Sequence, residues 1–151
     1  MGIFSNQKPK AAEVVSESQL LEVINKFTGW LPKNFTKEIN GKKYSTNELK
    51  ELVSKLVRIA ANNGDEMFLQ FVAKACASFE DSKESIDSMA QLHFDLTWSS
   101  AALRKTYKND SMALEGITVI GLASYSEFEK HPKYKEVLEY MSANAKKLAG
   151  Q

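Results

Sequence analysis

His93, His131 and Cys76 are the residues through which this 151-residue chain would run acid–base, metal or nucleophilic chemistry. A zinc or di-iron site wants carboxylate, His or Cys ligands at short, fixed helical spacings. Around His93 the nearby candidates are Met89 and Asp87, while Ala90 and Gln91 stand where a carboxylate would be needed. No HExxH and no Glu-x-x-His pair occurs. Asp95 is close in sequence but about 200° around a helix from His93. A histidine so placed reads as a satisfied core polar group rather than a ligand or base. His131 precedes Pro132 in a break and carries little signal. Cys76 lies in Ala75-Cys76-Ala77 on an apolar helix, the setting of an inert thiol behaving as a small hydrophobe. Phosphate cradles of the GxxxxGK[ST] and GxGxxG kinds are missing. No catalytic residue, metal or cofactor is therefore expected.

The element that carries His93 is the spine of the chain. From Ser82 to Asn109, residues Ile86, Met89, His93, Leu96, Ser100, Leu103 and Tyr107 recur at steps of three and four, which places them on one stripe of a helix. Phe94, Trp98, Ala101 and Ala102 form a second, partly apolar face, so the helix is expected to touch neighbours on two sides. Asp81, Glu84 and Asp87 at its start and Arg104, Lys105 and Lys108 at its end complement the helix dipole.

The flanking elements follow from caps and periodicity. Ser16 or Ser18 caps a helix with Leu20, Ile24 and Phe27 on one face, stopping near Gly29. Asn40-Gly41 is the pair preferred by a tight two-residue turn, so residues 35–44 form a short β-hairpin or a loop with one such turn. Ser45 with Glu48 is a capping box opening a helix whose stripe is Leu49, Leu52, Val53, Leu56, Val57 and Ala60. Asp65 caps the next, with Phe68, Phe71, Val72, Ala75, Cys76 and Phe79 at helical spacing. Residues 111–129 contain a strand-like Ile117-Thr118-Val119-Ile120 and two helix-weakening glycines, Gly116 and Gly121. Helix is still predicted, since no second strand offers a partner, and the small residues would let it lie close to another helix. A last helix is predicted over Tyr134–Leu148.

These elements make an all-α or mainly α fold, one bundle of about six helices over residues 16–149, preceded by a flexible tail at 1–15. An apolar content of 43% and charged content of 26% are those of an ordinary globular protein. The longest apolar run, Ile117–Tyr125, has nine residues, against the roughly 20 that a membrane span needs. The opening MGIFSNQKPK is short and polar for a secretory signal, and Asn6 stands where myristoylation wants Ser or Thr. A single cysteine suits a reducing cytoplasm.

Function is then expected on surfaces. The leading expectation is a non-enzymatic cytoplasmic protein-binding module: an adaptor, inhibitor, immunity or assembly factor, or a homo-oligomer. Trp30, Leu31, Phe35 and Tyr44 are its candidate anchors, although burial of Trp30 over the first helix end is the simpler reading. The alternative is a nucleic-acid-binding accessory protein. From Lys33 to Arg58 the local balance is +4, against −5 from Asp65 to Asp95. Lys33, Lys37, Lys42, Lys43, Lys50, Lys55 and Arg58 would meet phosphates, with Phe35 and Tyr44 as stacking faces. A third reading is a small enzyme inside the bundle, with His93 the first residue to test.

Overall fold

The computed structural model describes residues 16–80 and 85–150. Of the described residues 74% are helical, in seven helices, and one two-stranded antiparallel sheet accompanies them. In order these are α1 (Glu17–Thr28), β1 (Thr36–Ile39), β2 (Lys42–Ser45), α2 (Thr46–Asn63), α3 (Glu66–Ala77), α4 (Ile86–Thr106), α5 (Ser111–Lys130), α6 (Tyr134–Ala143) and α7 (Ala145–Leu148).

Local chemistry sets the boundaries. Ser16 and Ser45 each close a full capping box, with Gln19 and Glu48 reaching back to the cap N–H. Asp65, Ser85 and Asp110 cap α3, α4 and α5. The spine helix runs Ile86–Thr106, shorter than the stretch 82–109; Asp81, Ser82 and Glu84, expected at its start, lie outside the described residues, as does the expected tail. Asn40 (φ 53°) and Gly41 (φ 80°) both sit in the left-handed region, which makes the hairpin turn and fixes the register Ile39 to Lys42 and Thr36 to Ser45. Thr46 secures the hairpin to the preceding turn: its hydroxyl accepts from the Phe35 N–H at 2.8 Å and donates to the Pro32 carbonyl at 2.9 Å.

One correction concerns the last helix, which is not continuous over Tyr134–Leu148. Asn144 takes φ −123° and its side-chain amide donates to the Tyr140 carbonyl. The Asn144 backbone N–H donates to the same carbonyl, so main chain and side chain together cap α6, and with Asn144 off the helical conformation the chain restarts as α7.

Packing centres on α2, α4 and α5. The α2 stripe is buried as a unit, from Leu49 to Ala60. Residues 111–130 are helical, and α5 contacts α2, α3, α4, α6 and β1. Gly116 permits this: a Cβ there would stand 2.6 Å from Leu56 Cδ2, closer than real atoms approach. At the far end of α4, the Tyr107 hydroxyl donates to Asp65 at 2.7 Å while its ring meets Phe68 edge-on. That joins the spine to the α2–α3 turn.

Candidate functional site

Helix α4 has a groove on each side, and its side chains form one wall of both. The first lies between α4 and α5, with a volume of about 250 Å³. His93, Leu96, Thr97, Ser100 and Arg104 line it from α4; Thr118, Gly121, Leu122, Tyr125 and Phe128 line it from α5; Asn40 reaches it from the hairpin tip. The second lies between α3, α4 and the C-terminal end of α7, with a volume of about 510 Å³, and Trp98 stands in it.

His93 closes one end of the first groove. The residue is 5% exposed, and its ring sits 4.7 Å from Phe128, 5.2 Å from Tyr125 and 6.4 Å from Tyr134, centroid to centroid. The hydroxyls of Tyr125 and Tyr134 bond to each other at 2.8 Å, and burial, followed by that bond, pushes the Tyr134 phenol up to about 12. The Thr97 hydroxyl donates to the His93 carbonyl at 2.9 Å, leaving its oxygen to accept from Nδ1 at 3.4 Å. Nε2 then carries a lone pair with no partner among the described residues. Burial pushes the imidazole below its ordinary value and keeps it neutral. Asp95 is turned away to Lys74, at 3.2 Å, and Gln91, at 2.9 Å. The sequence predicts a satisfied core histidine; His93 is in the core, but only its Nδ1 has a partner among the described residues.

Cys76 is buried, and desolvation pushes its thiol up to about 12. At that value the thiolate, the nucleophilic form, is scarce at neutral pH. Among the described residues, no group of three His, Cys, Asp or Glu is placed to hold a metal ion.

The second groove was not singled out by the sequence. Trp98 is 61% exposed and Met67 39%, while Phe94 is half-buried. Phe71 forms the floor, and the Lys74–Asp95 pair sits on the wall. Gln91 donates to the Leu148 carbonyl at 3.0 Å, which holds the end of α7 at the groove's edge. The expected second face of the spine therefore divides: Phe94 packs against the core, whereas Trp98 and Ala101 face water. Thr97, Ser99 and Ser100 beside Trp98 were the only sequence signal that this segment is not wholly enclosed.

The expected anchors are placed differently. Leu31, Phe35 and Tyr44 are buried, Phe35 edge-on to Phe79 and Tyr44 with its hydroxyl donating to Glu115 at 2.9 Å. Trp30 is half-buried, stacked on Phe27 at 5.8 Å, and covers the end of α1. Of the basic set, Arg58 forms a two-pronged bridge to Glu17, holding that carboxyl below its usual range. Lys42 lies 5.3 Å over the Tyr44 ring and 3.9 Å from Glu115. Lys33, Lys37, Lys43, Lys50 and Lys55 are exposed. The structure thus brings the lysines to the surface but encloses both aromatic rings that would have stacked on bases.

Compared with known proteins, the chain matches no family model, no curated protein and no solved structure. No helix among the described residues is long and apolar enough to cross a membrane.

Proposed function

We propose that the chain is a non-enzymatic protein-binding module, with the Trp98 groove as its docking surface and an amphipathic helix of another protein as the occupant. The observation that carries this reading is Trp98 itself, an indole 61% exposed in a concavity floored by Phe71. Tryptophan is enriched among the few residues that dominate binding energies, because a broad rigid ring buries much area at little entropic cost. Met67 beside it adapts its shape to a partner's side chains. Lys74 and Asp95 neutralise each other on the wall, so apolar anchors rather than charge must supply the affinity. The groove runs between two helices, and a helical partner presents anchors three or four residues apart to such a trough. A module of this kind serves as an adaptor, inhibitor, immunity or assembly factor, and the free, buried Cys76 accords with a reducing cytoplasm.

A library of displayed helical peptides, selected on the wild-type protein and re-measured on Trp98→Ala and Trp30→Ala, tests this. Selected peptides should carry paired large apolar residues and lose about tenfold or more in affinity on Trp98→Ala, with Trp30→Ala unchanged. Peptides indifferent to Trp98→Ala would overturn the reading. So would a dimer of the chain that Trp98→Ala abolishes, since a second copy would then be the occupant.

A further inference from the structure

The groove on the other side of α4 has a different character. Four of its polar side chains have their hydrogens or donors already engaged, and where they are engaged decides what the groove can hold. Thr97 donates to the His93 carbonyl and Thr118 to the Leu114 carbonyl at 2.8 Å. Ser78 donates to the Ala75 carbonyl, so the 2.7 Å bond between Ser78 and Ser124 uses the Ser124 hydrogen. His93 is neutral and lends its Nδ1–H to Thr97. The middle and the His93 end of the groove therefore present methyl groups, rings and Leu96, Leu122 and Phe128, the unpartnered Nε2 of His93 being itself buried beneath them.

The unspent donors gather at the opposite end. Arg104 uses only Nε, donating to the Ser100 carbonyl at 3.3 Å, which holds the side chain back over the groove. Among the described residues its terminal nitrogens have no carboxylate within bridging distance. The Ser100 hydroxyl and the Asn40 amide likewise have no partner among the described residues. Asn40 belongs to this end because Tyr44 and Lys42 tie the hairpin to Glu115, near the start of α5. Arg104 lies eleven helical steps beyond His93 on α4, a span of about 16 Å at the helical rise. Along the lip, Leu122 and Tyr125 leave large apolar surfaces in water.

We propose that this groove binds a medium-chain carboxylic acid, its carboxylate on Arg104, Ser100 and Asn40 and its tail lying between α4 and α5 toward Phe128. A guanidinium and two neutral donors match a carboxylate's oxygens. An extended acyl tail matches a narrow apolar trough of this length and volume, and it covers the exposed faces of Leu122 and Tyr125. The site is separate from the Trp98 groove, and neither reading depends on the other.

Decanoate and decan-1-ol are the probes, titrated into the wild-type chain and Arg104→Gln with amide NMR and calorimetry as readouts. Arg104 is exposed and outside the core, so its replacement leaves the fold intact. Decanoate should bind once per chain and shift amides of residues 93–104 and 118–128. Decan-1-ol should bind about tenfold or more weakly, and Arg104→Gln should bring decanoate to the same level. No saturable shift at millimolar decanoate, shifts centred on Trp98, or equal affinity for Arg104→Gln would each overturn the proposal.

Discussion

Helices α2 and α4 solve the same packing problem with opposite results. In α2 every large residue of the Leu49–Ala60 stripe points inward, and the charged residues Lys50, Glu51 and Lys55 take the water-facing side. In α4 the apolar residues are spread round the cylinder. Met89, His93, Leu96 and Leu103 are enclosed, while Trp98 and Ala101 stay outside. One-sided patterning commits a helix to one neighbour set and leaves nothing over. Patterning on two sides gives the bundle its spine and also a groove on each flank. The contrast locates stability in α2, and the recognition proposed above would rest on α4.

The largest expected effect lies on the stability side. Leu56 is fully buried and packs on the bare backbone of Gly116, so Leu56→Ala should cost about 2–5 kcal/mol in urea unfolding. A cost below that of a surface substitution would break the contrast. Next, the two glycines of α5 should respond with opposite signs. Gly116→Ala places a Cβ 2.6 Å from Leu56 Cδ2 and should destabilise by about 1–3 kcal/mol. Gly121→Ala meets nothing nearer than the Ser100 hydroxyl at 3.5 Å and should stabilise by up to about 1 kcal/mol through helix propensity. Equal responses would mean that α5 does not approach α2 as described.

A smaller effect separates the two ends of the first groove. Burial lowers the His93 pKa in the folded state, so the unfolded chain takes up this proton first as pH falls. Its contribution is complete above the ordinary histidine value of 6.5 and is lost progressively below it, down through the folded value. Wild-type stability should therefore fall faster than that of His93→Phe as pH drops below 6.5. Parallel curves would show that the imidazole is not held neutral by its aromatic surroundings.

Much of this was legible in the chain. Ser45 with Glu48 and Asn40-Gly41 engage only near neighbours, and the Leu49–Ala60 stripe needs only its own periodicity to form a helix, so each formed as its local chemistry dictates. Helix at 111–130 was readable because no partner strand existed, although Gly116 could not announce that Leu56 would fill its empty side. Periodicity says which residues share a face; it does not say whether another element arrives there. That is why Trp98 was grouped with the contacting residues, and why Leu31, Phe35 and Tyr44 were considered for the surface although they are buried. The Asn144 break was hidden because it rests on one residue leaving the helical conformation and capping α6 with its own amide, inside an otherwise regular apolar pattern. The α4–α5 groove depends on which hydroxyls are already engaged, and sequence does not record that.

In the proposed function Trp98 serves recognition and not folding. Its most direct test measures Trp98→Ala twice, by urea unfolding and by affinity for a helical peptide selected on the wild-type protein. Stability should stay within about 0.5 kcal/mol of wild type while affinity falls about tenfold or more. A marked loss of stability with affinity unchanged would contradict that role.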